Sequence, residues 1–214
     1  RRNRMAVEGR DMGAVVYGNE LAKRALLVAA AGKHSLFLLG PRNSGKTMLR
    51  AVAVALGLDE VFEARLCPCG EHGGGINSVC GCTAAQIARH RWKLPVVEVN
   101  VEVRRPVDRD VHSPFAGTSL TDMQRQIAKA IPRDNVAAAL DKECQNFLHV
   151  CFEYSGLDPV AETTIREVAR TIAALERVTE IRPFHLNEAV NYRALLADVQ
   201  ASQPRRLPVG ARAA

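Results

Sequence analysis

Length and composition restrict the class of protein. The chain has 214 residues, which suits one domain or one domain plus a small second one, and 47% of them are apolar, enough for a core. Its formal net charge is +6, much of it from residues 1–4 and 205–212, so these ends are either solvated tails or contacts to DNA or another anionic partner. No stretch approaches the ~20 apolar residues that cross a bilayer, so no membrane-spanning segment is expected.

The N-terminus is polar and lacks the apolar segment of a secretory signal, so we expect a reducing, cytoplasmic setting. In that setting structural disulfides among the six cysteines are not expected. Residues 1–15 show no hydrophobic periodicity and are predicted to be a flexible N-terminus.

The first regular elements are a helix, a strand and a second helix. GNELAKRALLVAAAGKH, residues 18–34, predicts a helix capped by Asn19. Leu36–Leu39 predicts a short buried strand, and KTMLRAVAVAL, residues 46–56, predicts the helix that follows it. This order is typical of an α/β nucleotide-binding fold.

A phosphate-binding pattern, Gly40-x4-Gly45-Lys46-Thr47, joins that strand to that helix. Glycines let backbone N–H groups approach phosphate oxygens, and the helix directs its N-terminal dipole at the anion. Lys46 would reach the β- and γ-phosphates of ATP, and Thr47 would ligate Mg²⁺. The alternative is a glycine-rich turn with a surface lysine. The predicted nucleotide-contacting residues are Gly40, Pro41, Arg42, Asn43, Ser44, Gly45, Lys46, Thr47 and Met48.

A cysteine-rich segment follows. Two C-x-C pairs with ten residues between them are formed by Cys67, Cys69, Cys80 and Cys82. Four thiolates would enclose a tetrahedral Zn²⁺, although the usual spacing is C-x2-C. In an alternative ligand set, His72 takes the place of one of the cysteines. Free reduced thiols and disulfides are the alternatives. Cys144 and Cys151 are predicted to be small core residues, because free cysteine packs as a hydrophobe.

The remaining elements divide into a short α/β stretch and a helical half. Residues 83–94 predict a helix capped by Thr83, and the alternating PVVEVNVEV, residues 95–103, predicts a strand. The helical half is punctuated by Pro132, Pro159 and Pro183. Its helices are expected at about 119–130, 135–154, 160–176 and 185–201.

The predicted organisation is a reduced α/β P-loop domain followed by an all-helical lid domain. The P-loop domain covers 16–103 with the cysteine-rich insert at 65–82. A linker, 104–118, leads to the lid domain, 119–202, and a flexible basic tail follows at 203–214.

Three segments resemble the magnesium-chelatase-like AAA+ ATPases, nearest to the ComM/YifB type. They are VYGNELAKRALLVAAAGKHSLFLLGPRNSGKTML, CPCG…CGCTAAQIARHRWKL and VARTIAALERVTEIRPFHLNEAVNYRALL, within residues 16–103 and 119–196. The resemblance implies ATP and Mg²⁺ as cofactors and an ATP-driven ring, built from copies of this chain or with a full-length paralogue. It also implies DNA as a candidate partner, since the ComM branch is associated with DNA branch migration in natural transformation.

One departure from the family is the distance between the phosphate loop and CPCG. In the family a long block there carries the acidic Walker B strand, which positions Mg²⁺ and polarises the attacking water. Here the helix runs almost at once into GLDEVFEARLCPCG, so the block is expected to be absent. Asp59 and Glu60 are interpreted as an acidic pair at the helix end. Glu98 is the one acid that could take the place of the missing one, but its face of the strand is expected to be the solvated one, so it is not expected to act on ATP.

The family's polar and arginine positions also differ. The sensor asparagine falls near Arg65, the arginine finger near Val96 and the arginine that senses the γ-phosphate near Val160, with Arg166 and Arg170 as residues that would compensate. Because phosphoryl transfer depends on positioning and charge stabilisation, we expect ATP binding with weak or no hydrolysis. The alternatives are an active AAA+ motor acting on DNA and a shortened product with no retained function.

Overall fold

The computed structural model describes residues 16–72, 79–91, 94–95, 97–112, 117–155 and 159–201. The predicted flexible ends therefore lie outside the described residues. The strands are β1 (Leu36–Leu39), β2 (Val61–Ala64) and β3 (Val99–Glu102). The helices are α1 (Glu20–Gly32), α2 (Lys46–Ala55), α3 (Ala84–Arg91), α4 (Asp108–Val111), α5 (Leu120–Lys129), α6 (Lys142–Ser155), α7 (Pro159–Leu175) and α8 (Pro183–Ala201). Within the described ranges, no helix has the length and apolar character needed to cross a membrane.

The described strands form one parallel sheet with β1 in the centre, in the order β2-β1-β3. Leu36 lies opposite Val61 on one side and Val99 on the other, and all four side chains of β1 are buried. A strand buried on both faces is expected to be a continuous apolar run, as LFLL is. The predicted α/β class is confirmed, and the predicted strand 95–103 is shortened to β3.

Strand β2 was not predicted: a short strand fits between the phosphate loop and the cysteines, where the long acidic block was expected to be absent. Helix α2 itself is the crossover: it ends at Ala55, and Gly57 turns the chain with φ 78°. Leu58 N then donates to Ala53 O at 3.0 Å, so the chain folds back onto the helix end. Three residues later, at Val61, the chain is already paired with β1.

The helical half differs from expectation at one helix start. Helix α6 begins at Lys142 and not at residue 135, because Asp141 Oδ1 accepts a hydrogen bond from Cys144 N at 2.7 Å and caps it there. The preceding residues pair elsewhere: Ala137 N donates to Thr179 O at 2.8 Å. The other three helices predicted for this half correspond to α5, α7 and α8, and each of their ends lies within two residues of the predicted position.

Both halves share one hydrophobic core, with α8 against β3 and α7 against α1. Buried Asn100 on β3 donates to Tyr192 O on α8 at 3.0 Å. Arg24 on α1 makes a two-pronged contact to Glu188 on α8, Nε to Oε1 at 2.9 Å and Nη2 to Oε2 at 3.1 Å. The helices are therefore packed directly on the small sheet.

The predicted linker is tied to the start of α1. Asn19 lies at the N-cap position, but its side chain does not cap the helix. Its Nδ2 donates to Arg104 O at 2.9 Å and its Oδ1 accepts from Arg104 N at 2.9 Å. Glu20 Oε2 accepts from Thr118 Oγ1 at 2.7 Å. The prediction of Asn19 as a side-chain cap is wrong, because this amide is used to hold the segment that follows β3.

Candidate functional site

The phosphate loop begins where β1 ends, at the edge where the carboxyl ends of the three strands meet. Gly40 N donates to Ala64 O at 3.2 Å, so the loop starts against β2. On the other side a Cβ on Gly40 would overlap the Val103 carbonyl oxygen. Only glycine fits there, because two backbones approach each other closely.

The loop turns into helix α2 through two residues with left-handed backbone. Asn43 has φ 57° and Gly45 has φ 92°, a region that glycine adopts without strain and asparagine tolerates. Gly45 O then accepts from Met48 N and Leu49 N, each at 3.0 Å, and α2 begins. The loop therefore places the amino end of a helix at the mouth of a cavity.

That cavity has a volume of ≈ 390 Å³. Tyr17 and Met48 contribute half-exposed side chains to its wall. The described residues that line it are Val16, Tyr17, Asn43, Ser44, Gly45, Lys46, Thr47, Met48 and Pro106. The structure thus brings six of the nine predicted nucleotide-contacting residues to one cavity, while Gly40, Pro41 and Arg42 form the start of the loop.

Lys46 lies inside the curve of the loop. Its Nζ donates to Gly40 O at 3.0 Å, to Pro41 O at 2.6 Å and to Ser44 Oγ at 3.2 Å. Burial lowers the pKa of Lys46 below its ordinary value of 10.5, while the Glu63 carboxylate acts in the opposite direction. A cation held against carbonyl oxygens is available to an anion that enters the loop, because the anion is the stronger acceptor.

Glu63 on β2 is the acidic residue that the sequence interpretation missed. Its Oε2 accepts from Thr47 Oγ1 at 3.1 Å, and its Oε1 lies 3.9 Å from Arg50 Nη1 on α2. It therefore lies next to the hydroxyl that would ligate Mg²⁺. The signal in the sequence was the four-residue segment VFEA, too brief to identify a strand without its partner.

Glu98 lies away from the phosphate loop and is not placed to replace the missing acid, as expected. It accepts from Ser35 N at 2.9 Å, and Ser35 precedes β1, at the end of the sheet opposite the loop. Glu60 lies at that same end, since its carbonyl accepts from Leu36 N at 2.9 Å. Asp59 is next to it on an exposed segment between α2 and β2, which agrees with the interpretation that this pair is not a Walker B motif.

The two arginines expected to compensate are both engaged within the helical half. Arg166 pairs with Glu162 at 2.6 Å. Arg170 Nη2 donates to Arg133 O at 3.1 Å and to Val136 O at 3.2 Å. Val96, near which the family's arginine finger falls, lies outside the described residues. The positions of Arg166 and Arg170 therefore give no support to a role at the loop.

The four predicted zinc ligands do come together. The sulfur atoms of Cys67, Cys69, Cys80 and Cys82 all lie within 4.8 Å of one another. Burial acts to raise the pKa of Cys67, but hydrogen bonds from the backbone of His72 and Gly70 outweigh it and hold that pKa at about 6. The His72 side chain is not part of this cluster, so its suggested role as a ligand has no support. Residues 73–78, between the pairs, lie outside the described residues.

The other two cysteines are packed on helix α6. Cys144 is buried, its Sγ donates to Ile181 O at 3.3 Å, and burial raises its pKa to about 12. Cys151 is half-buried against the same core. Both therefore pack as core residues, as predicted.

Comparison with known proteins identifies the family. The family described as "Magnesium chelatase, subunit ChlI" matches residues 11–63, and "Magnesium chelatase, subunit ChlI C-terminal" matches residues 82–193, more than half of the chain. The Competence protein ComM of Haemophilus influenzae is 59% identical over 34 residues, which are 16% of this chain and only 7% of that protein. The sequence resemblance is confirmed: the chain belongs to the magnesium-chelatase-like AAA+ family of subunit ChlI, with the ComM type as the branch it resembles.

Proposed function

We propose that this chain binds ATP together with Mg²⁺ at the loop of residues 40–48 and hydrolyses it weakly or not at all. The observation that carries the binding proposal is the loop itself. It is a glycine turn that curves around Lys46 and opens a ≈ 390 Å³ cavity at the amino end of α2. Backbone N–H groups and a helix dipole at one point favour a phosphate there.

The side chains around the cavity have distinct roles in this proposal. Lys46 would exchange its carbonyl partners for the β- and γ-phosphates, and the Thr47 hydroxyl would ligate Mg²⁺. Glu63 would support that cation through Thr47, with which it is already hydrogen-bonded at 3.1 Å. Tyr17 and Met48, 42% and 43% exposed, offer apolar surface for the base.

Weak hydrolysis is inferred from what surrounds Thr47. Glu63 already contacts Thr47 and Arg50, so it is an anchor for the cation site and is not free to orient water. Glu102, at the same edge of the sheet, pairs with Arg104 at 3.9 Å and does not line the described part of the cavity. An arginine finger alone is worth about 10³-fold or more in rate. Among the described residues the site has an anchor for the cation but no acid free to orient water, so it is expected to bind ATP and to hydrolyse it slowly.

Titration of ATP with Mg²⁺ into the purified chain tests the binding proposal. Lys46→Ala removes the cation in the loop and is expected to abolish measurable binding. Lys142→Ala is the matched control, because Lys142 is an exposed lysine at the start of α6. Identical titration curves for wild type and Lys46→Ala would show that the loop is not the site.

The alternative function is an active AAA+ motor on DNA. The specific observations in its favour are Glu63 beside Thr47 and the net charge of +6. ATP turnover that rises on addition of DNA, and is lost in Lys46→Ala, would establish it. ATP turnover at the background rate, both with and without DNA, would exclude the motor and favour ATP binding without efficient hydrolysis.

The domain boundaries and the assembly are part of the same proposal. We propose a P-loop domain at 16–103 with an insert at 65–82, a linker at 104–118 and a helical lid at 119–202. The short helix α4 and the contacts of Asn19 with Arg104 show that the linker segment is partly structured and held by α1. The proposed partners are further copies of this chain or a full-length paralogue in a ring. The proposed setting is the cytoplasm, which is consistent with the family.

A further inference from the structure

The cysteine cluster is in direct contact with the phosphate loop. Arg42 N, in the loop, donates to Gly70 O at 2.9 Å, one residue after Cys69. Arg105 joins the two segments a second time: its Nε donates to Arg42 O at 2.8 Å, and its Nη2 pairs with Glu71 Oε2 at 2.9 Å. The backbone of Arg42 is therefore held on both its N–H and its carbonyl by groups that depend on the turn at residues 69–72.

That turn is itself built around the sulfur atoms. Gly70 N donates to Cys67 Sγ at 3.3 Å, Glu71 N to Cys69 Sγ at 3.5 Å and His72 N to Cys67 Sγ at 3.4 Å. Backbone N–H groups directed at sulfur favour thiolates and hold them in position, as the outer partners of a metal site do. The turn also has little room to change, because Gly70 has φ 81° and a Cβ there would lie 2.8 Å from the Arg42 side chain.

The four sulfur atoms have the spacing of a metal site. In a tetrahedral zinc site with Zn–S bonds of about 2.3 Å, neighbouring sulfur atoms lie about 3.8 Å apart. The Sγ atoms of Cys67 and Cys80 are 3.8 Å apart, those of Cys69 and Cys80 3.6 Å, and those of Cys67 and Cys69 3.3 Å. All four are free thiols, and a small contraction or expansion of the cluster brings each of them to the expected bond length.

Positive side chains surround this turn. A Cβ on Gly70 would meet the side chains of Arg42 and Arg65, and Arg105 pairs with the next residue, Glu71. Four thiolates with one Zn²⁺ carry a net charge of −2, so cations at this position lower the cost of assembling the site. This arrangement favours a metal–thiolate centre over four neutral thiols.

We propose that Cys67, Cys69, Cys80 and Cys82 bind one Zn²⁺, and that the bound metal holds the phosphate loop in its nucleotide-binding shape through the Gly70–Arg42 contact. The metal fixes the turn, the turn fixes the backbone of Arg42, and Arg42 begins the curve that encloses Lys46. The second half of this proposal rests on the proposed nucleotide site. Zinc occupancy would then set ATP affinity without zinc touching ATP.

Three measurements on the full chain test the proposal. Elemental analysis of protein purified without added metal should give about one zinc per chain in wild type and in the control Cys151→Ser, and none in Cys80→Ser. Hydrogen exchange should be faster in Cys80→Ser at the amides of Arg42 and Gly70. ATP affinity should be about fivefold to tenfold weaker, the effect of releasing about one hydrogen bond that holds the loop.

The outcomes separate the parts of the argument. A folded wild type with no metal overturns the zinc site. The coupling between the metal and the phosphate loop is overturned by a different result. In that result wild type contains zinc, but Cys80→Ser shows unchanged hydrogen exchange at Arg42 and unchanged ATP affinity. If Cys80→Ser does not fold, zinc is removed from folded wild type with a zinc-selective chelator, and unchanged exchange of the loop then overturns the coupling. If ATP does not bind the zinc-loaded wild type, the proposed nucleotide site fails. That result is distinguishable from failure of the zinc site, because metal content and hydrogen exchange are measured without nucleotide.

Discussion

Replacing Glu63 by glutamine tests the cation site at the phosphate loop. The change keeps the size of the side chain and removes its charge, next to Thr47 Oγ1 at 3.1 Å. A group that supports a metal ligand from outside typically contributes 10–100-fold in metal affinity. We therefore expect ATP with Mg²⁺ to bind Glu63→Gln about 10–100-fold more weakly than wild type. Without Mg²⁺ the sign reverses, because the carboxylate then only repels the phosphates, and ATP should bind the variant as well as wild type or better.

The assay is calorimetric titration of ATP with Mg²⁺ and, separately, with a chelator of divalent cations. Glu98→Gln is the matched control: it is also an acid beside the sheet, but it accepts from Ser35 N at the opposite end. It should leave both titrations unchanged. Equal losses in the two variants, or a loss in Glu63→Gln that is the same with and without Mg²⁺, would show that Glu63 acts only on the fold.

Three further predictions concern stability, each measured by chemical denaturation. Gly40→Ala places a methyl group against the Val103 carbonyl oxygen and should lower the free energy of unfolding by about 1–3 kcal/mol, with weaker ATP binding; an unchanged midpoint would contradict the close approach. Burial lowers the pKa of His34 below 6.5, so the unfolded chain binds the proton more readily and stability should fall as the pH drops below 6.5. His34→Gln should flatten that dependence, and the same slope in both proteins would contradict it. Arg24→Lys loses the two-pronged contact to Glu188 and should cost about 1 kcal/mol, whereas no change would show that the contact is dispensable.

The elements that the sequence predicted correctly are those whose signals are local. Leu36–Leu39 is apolar throughout because both faces of β1 are buried, and the glycines of the loop are required by backbone geometry at those positions. The cap at Thr83 was also predicted, and the structure adds Gln86 as its partner: Gln86 N donates to Thr83 Oγ1 at 3.3 Å, and Thr83 N donates to Gln86 Oε1 at 2.9 Å.

The features that were missed depend on contacts between distant segments. Strand β2 has an exposed Phe62 in its short span and exists as a strand because β1 pairs with it. The pairing of β2 with β1 also brings Glu63 next to Thr47. Its role could not be predicted, because no local sequence pattern indicates which strand will lie beside Thr47. The cysteine spacing did predict a cluster, but its contact with Arg42 depends on how the turn at Gly70 is folded.

The central claim, that the chain holds ATP without splitting it efficiently, is tested most directly by measuring binding and turnover on one sample. The purified chain is mixed with ATP and Mg²⁺, bound nucleotide is quantified, and the bound and free fractions are analysed for ADP over time. The account predicts binding that is lost in Lys46→Ala, with bound nucleotide recovered as ATP and ADP formed only at the background rate. Steady production of ADP that co-purifies with the wild-type chain and disappears in both Lys46→Ala and Glu63→Gln would contradict it and establish an active ATPase.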